Sequence, residues 1–226
     1  YTKENKLQLD DIKRKALDNA EADSYAAKLA KEKGITISNK QIDDAITYQR
    51  ESRDGTTSQE AYDAIVLDLY NLTPAEARES TSRSLLRQEV TYAVDTIAAK
   101  QRDAMIAKLK TESDFDKVAA AIPTDGGAQV QSGVVPLVPS TNRDYGLAAA
   151  ASKLTVGKTS PAFRSTNGDG YYIVKLLQKD GDGRVSYAFL KVSLTVFDKQ
   201  LAAAKKDTAK FHEYISVAAA KAQTTQ

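Results

Sequence analysis

Gly170-Tyr171-Tyr172-Ile173-Val174-Lys175-Leu176 is the stretch that decides the fold. Lys179-Asp180-Gly181-Asp182-Gly183 follows it as a hairpin signal, and residues 185–194 (Val-Ser-Tyr-Ala-Phe-Leu-Lys-Val-Ser-Leu) form a second run of strand character. Apolar runs bounded by Gly and Asp read as paired strands, so the second should lie antiparallel to the first. Upstream, Asp114-Phe115 opens a short Ala-rich helix and Thr124-Asp125-Gly126-Gly127 makes a loop. Then come the run Ser132-Gly133-Val134-Val135-Pro136-Leu137, a helix ending at Leu154 before Gly157, and Thr159-Ser160-Pro161. Helix, loop, strand, helix, strand, turn, strand is the order of a small α+β domain.

The first hundred residues have a different texture. From Lys3 to Gly34, Leu9, Ile12, Ala16, Leu17, Ala20, Ala26, Ala27 and Ala30 fall at steps of three and four between charges, which is one helical stripe with a glycine stop. Ser38 followed by Gln41 signals a capping box for a second helix carrying Ile42, Ala45 and Ile46. Asp54-Gly55-Thr56 breaks it, and Thr57 with Glu60 starts a third. Thr73-Pro74-Ala75-Glu76 combines an N-cap, a proline at the first helical position and an acid in the first turn. The segment from there to Lys110 reads as one long helix or two, and Glu89-Val90-Thr91-Tyr92-Ala93-Val94 allows a short strand as the rival reading. Phe197 to Ala222 reads as helix with a break near Asp207.

Composition removes several kinds of chemistry. The chain has 226 residues, and its 32 basic and 30 acidic side chains leave a formal charge of +2, so no one-signed field steers nucleic acid to it. It has no Cys and one His, His212, which argues against thiol catalysis, disulfides and zinc. We expect no metal and no cofactor. No apolar run approaches the length of about 18 residues that a bilayer span needs. The chain begins at Tyr1 rather than Met, and the expectation is a removed upstream segment, a signal or an anchor. No Gly-x-Ser-x-Gly elbow or phosphate loop is present.

Two resemblances cover most of the chain. Residues 25–42, in which a helix ends in Gly34-Ile35-Thr36-Ile37-Ser38 and a second begins at once, resemble the N-terminal helical region of SurA- and PrsA-type extracytoplasmic folding factors. Residues 69–76 followed by Leu85-Leu86-Arg87-Gln88 are similar to the next helix pair of such proteins. From about Ala104 to Leu177 the chain resembles a parvulin-type peptidyl-prolyl isomerase domain, through Asp114-Phe115, Ser132-Gly133, Ala150 to Leu154, Gly157, Ser160-Pro161 and Gly170 to Leu176. The implied architecture is a helical chaperone module over residues 1–103, completed by a C-terminal helix over 197–222, and a parvulin-like domain over 104–196. Parvulins open with a strand beside the closing one. If the region around Tyr92 is helical, Val185 to Leu194 can fill that lane as a circularly permuted sheet.

The departures bear on chemistry. Parvulins line the prolyl pocket with two His, an Asp or Cys, a Met and a Phe. The register of the resemblance puts Gly126 at the Asp or Cys position with Asp125 beside it, Arg143 at the Met, Leu147 at the Phe and Tyr172 at the closing His, and nothing at the first His. It therefore implies Asp125 and Tyr172 as candidate catalytic groups, and Val135, Leu137, Arg143, Leu147 and Tyr172 as candidates for substrate binding. An isomerase must favour a twisted amide against a barrier of about 20 kcal/mol, which takes an apolar socket next to a polar network. With its imidazoles missing, the socket is expected to hold unfolded or extended client polypeptides rather than turn them over. The expected setting is extracytoplasmic, with membrane contact only through the segment upstream of Tyr1. Active isomerisation through Tyr172 and Asp125, and a structural adaptor for one dedicated partner, stand as alternatives.

Overall fold

The computed structural model describes residues 3–52, 55–207, 211, 212, 214, 215 and 217. The fold is α+β. Helix α1 (Lys3–Lys33) ends at Gly34, whose φ of +67° only glycine adopts without strain. Helix α2 (Asn39–Arg50) starts at the expected capping box, with Gln41 N–H on Ser38 Oγ and Ser38 N–H on Gln41 Oε1. A two-stranded ribbon follows, β1 (Glu51–Ser52) with β2 (Gly55–Thr56). Helix α3 (Gln59–Tyr70) is capped by Ser58, one residue after the expected start, because its hydroxyl reaches Ala61 N–H. Helix α4 (Pro74–Val94) opens on the Thr73/Glu76 box.

Residues 89–94 are helical, so Ala93 pairs with no strand and the rival strand reading is excluded. A helix nucleated that strongly propagates until something interrupts it. The interruption is Asp95, which leaves helical geometry and caps α5 (Thr96–Lys108) by accepting from Ala98 N–H. The chain thus has two helices here. The expected boundary between residues 103 and 104 falls inside α5, whose Ala98 and Met105 share a core with sheet residues.

The rest of the chain is α6 (Phe115–Ala121), β3 (Val130–Val138), α7 (Leu147–Ser152), β4 (Phe163–Arg164), β5 (Gly170–Lys179), β6 (Val185–Ser193) and α8 (Val196–Lys206). Four strands form one antiparallel sheet in the order β3-β6-β5-β4. β6 takes the lane between β3 and β5, with Val192 facing Val130 on one side and Tyr171 on the other. Gly170 is required where β5 enters, since a Cβ there would lie 2.2 Å from the Val192 carbonyl oxygen.

Alternation along the strands sends residues to two cores. Tyr171, Ile173, Leu190 and Val192 pack under α5 and α6 with Met105, Phe115 and Val118. Tyr172, Val174, Leu176, Val185 and Tyr187 pack under α7 with Leu147, Ala148 and Ala151. A third core joins α1, α4 and α8 through Ala22, Ala26, Ala30, Val90 and Phe197. Helix α8 thus returns to the helical layer, with Lys205 on Asp18 and Glu21 of α1. It ends at Lys206 rather than running to residue 222. Asp207 is outside helical geometry at φ −90° and ψ 86°, and 211, 212, 214, 215 and 217 are not helical. Residues 208–210, 213, 216 and 218–226 lie outside the described residues.

Candidate functional site

The site implied by the resemblance centres on Tyr172. Register brings three strands together there, with Tyr172 facing Phe163 of β4 on one side and Lys191 of β6 on the other. The ring stacks on Phe163 and tilts against Phe189, each at 6.2 Å between centroids, and the side chain is only 3% exposed. Its hydroxyl donates to Asp169 Oδ2 at 3.0 Å, and Lys191 Nζ donates to the same oxygen at 2.5 Å.

Electrostatics follow from that geometry. Burial pushes the Tyr172 hydroxyl up to about 12, so it is a neutral donor at any ordinary pH. Burial alone would raise Asp169, but hydrogen bonds from Lys191, Ser165 and Tyr172 outweigh it and hold the carboxyl below its usual range. Burial would lower Lys191, and the Asp169 carboxylate reverses that. Tyr187, in the same core, donates to Asp144, and burial with that carboxylate drives its ionisation upward.

The candidate residues are only partly assembled. Leu147 is buried in the core that holds Tyr172, and Val135 packs against its edge. Leu137 lies in the irregular stretch between Val135 and Val138 and is not part of that core. Arg143 does not enter the socket. Its guanidinium donates to the carbonyls of Tyr48, Gln49 and Glu51 and lies 5.1 Å over the Tyr48 ring. A helix C-terminus leaves carbonyls unsatisfied, and a forked five-donor cation satisfies several at once. Asp125 is exposed in the loop before β3, where neighbouring Gly126 packs on Ile97 of α5 and accepts through its carbonyl from Lys199 of α8. Among the described residues no hydrogen bond joins Asp125 to Tyr172, the other candidate catalytic group; the Tyr172 hydroxyl is instead linked through Asp169 to Lys191.

The open space lies beside this triad. A groove of about 1280 Å³ runs between the helical layer and the sheet, with Ala22, Tyr48, Leu85, Tyr92 and Phe197 among its walls. Asp169 and Lys191 stand in its wall on the sheet side. Arg164 crosses it, stacked 4.5 Å over Tyr92 and paired with Glu89 at 2.9 Å. A second hollow of about 680 Å³ adjoins at Tyr48, Arg143 and Arg164 and reaches Phe163.

No family model, curated protein or solved structure matches the chain. Among the described residues, no group of three or more acidic or His side chains could hold a metal ion, and no helix is long and apolar enough to cross a membrane. Asp169 and Lys191 are the residues that sequence reasoning missed. Asp169 is visible three positions before Tyr172, in the turn Asn167-Gly168-Asp169. Lys191 has no local signal, since only the pairing of β5 with β6 brings it there.

Proposed function

We propose that this chain is an extracytoplasmic folding factor that binds unfolded or extended polypeptides, and that its parvulin-like sheet holds chains without isomerising them. The observation that carries this reading is the state of Tyr172. Its ring is enclosed by Phe163 and Phe189 and its hydroxyl is committed to Asp169, so the position that would offer an imidazole to a prolyl amide presents neither a base nor an open socket. Leu147 is buried in the same core, and Arg143 is occupied at the end of α2.

Binding surface is available elsewhere. The groove beside the sheet mixes aromatic and aliphatic walls with paired charges, which suits weak, sequence-tolerant contact with an extended chain. Helix α3 buries only Val66 and leaves Ile65, Leu67, Leu69 and Tyr70 exposed. The strand order, with β6 in the lane beside β5, supports the permuted parvulin-like reading.

Two assays test the proposal. In a protease-free prolyl isomerisation assay the rate should equal that of buffer, while aggregation of several unrelated unfolded proteins should be suppressed. Fast turnover that disappears in Tyr172→Phe would make this an enzyme with a substitute residue. Suppression confined to one protein would favour the dedicated adaptor.

A further inference from the structure

We infer that the outer edge of β3, over residues 130–135, is a docking strand to which an extended segment of a client chain adds as a fifth strand of the sheet. This rests on the chain-binding reading above and names the place where backbone pairing occurs.

Three observations lead to it. First, β3 is an outer strand, and among the described residues nothing pairs with its free side. Val135 O accepts from Ser186 Oγ on β6, so that carbonyl faces inward. Backbone groups alternate along an antiparallel strand, so those of Ser132 and Val134 face outward, and each presents an N–H and a C=O with no strand partner. Second, the edge lacks the usual protection. Val-Gln-Ser-Gly-Val-Val contains no charge, where edge strands are ordinarily blunted by lysines, prolines or bulges. The proline and the register shift occur at Pro136 and between Val135 and Val138, which closes only the far end. Third, each face beside the edge offers an apolar group, next to Ser132, whose hydroxyl donates to Asp116 Oδ1 of α6 at 2.6 Å. Val134 is 67% exposed on one face. On the other, Gly133 has no side chain, and the Phe189 ring occupies the place of its Cβ, 2.6 Å from where that atom would stand. An added strand with alternating apolar residues would rest on Val134 on one side and on the Phe189 ring on the other.

The occupant is a client segment and not a second copy. Six strand residues make a strip about 20 Å long and about 5 Å wide. That is far less than the roughly 800 Å² per partner that a stable dimer buries, but enough for brief capture of an unpaired chain.

The test uses the full chain and a blocked, fluorescently labelled peptide of alternating valine and threonine with one terminal lysine for solubility. Val134→Pro removes an outward N–H without touching the ladder to β6, and prolines are tolerated at such edge positions. Val134→Lys places a charge on the exposed face. Both should weaken peptide binding by at least about tenfold, and saturating peptide should slow amide exchange at Ser132 and Val134 in the unmodified chain. If Val134→Pro fails to fold, Val134→Lys decides. Equal binding by the folded variants, with protection confined to the groove, would overturn the docking strand and leave the chain-binding reading intact. Failure of the unmodified chain to bind any unfolded polypeptide would instead remove that reading itself. A concentration-dependent dimer in sedimentation, abolished by either variant, would assign the edge to a second copy and overturn the inference.

Discussion

Replacing Asp95 by Ala should separate the two layers of the molecule. The Asp95 side chain is fully buried at the break between α4 and α5, and three backbone donors converge on it. Ala98 N–H reaches Oδ1 at 2.7 Å, while Thr195 N–H and Val196 N–H reach Oδ2 at 2.6 and 3.0 Å. One carboxylate therefore starts α5 beneath the sheet and also sets where α8 leaves β6 for the helical layer. Hydrogen bonds to a charged group contribute about 1.5–3 kcal/mol each, so three amount to about 4.5–9 kcal/mol gross. Burying the carboxylate costs several kcal/mol, and its removal recovers that part. The expected net loss for Asp95→Ala is about 3–4 kcal/mol, in the range seen when buried donors are left bare. At about 2–4 °C per kcal/mol for a chain of this length, Tm should fall by about 6–16 °C. Asp95→Asn keeps one accepting oxygen and can serve only one of the two helices, so its loss should be about 2 kcal/mol. The chain has no Trp and 11 Tyr, so urea unfolding followed by tyrosine fluorescence and far-ultraviolet dichroism reads both layers. A loss under about 1 kcal/mol, with the α8 amides still protected from exchange, would show that the convergence on Asp95 does not join the layers.

Two further outcomes follow from the site. Arg143→Ala should loosen the end of α2 and the adjoining β1–β2 ribbon by about 1 kcal/mol, which limited proteolysis would register as roughly fivefold faster cutting there. Arg143→Lys should recover little, because an ammonium lacks the fork, and full recovery would count against the account. Asp169 is held below the usual carboxylate range, so its contribution is complete above about pH 4 and is lost as pH falls through its folded value. Asp169→Asn should therefore be less stable than the parent at pH 7, with the gap closing as pH falls below about 4. Urea midpoints that stay equally far apart over that range would contradict the assignment.

The helix starts were legible because the information is local. Ser38 with Gln41, and Thr73 with Pro74 and Glu76, act within four residues, and the structure forms both boxes there. Gly34, the strand from Gly170 and the antiparallel return at Val185 follow from the same short-range chemistry. The fate of Glu89 to Val94 was not legible. Val90 and Tyr92 suit a strand equally well, and what decides is that Val90 packs with α1 and α8 while Tyr92 packs with the sheet. The site divides in the same way. Tyr172 could be singled out by position, yet a neighbour 19 or more residues away enters only when strands pair in one register, and a shift of one residue would turn Lys191 to the opposite face. Arg143 illustrates the converse, since a socket position in a linear register became a clasp on α2 once the carbonyl-rich end of that helix lay within reach. By itself the sequence determined where several helices start and that the class is α+β, because those depend on backbone preferences and on hydrogen bonds between near neighbours. Only the tertiary structure decided that Tyr172 is closed off by Asp169, Lys191 and two phenylalanines, and that β3 has a free edge, because both depend on long-range strand order that no short stretch contains.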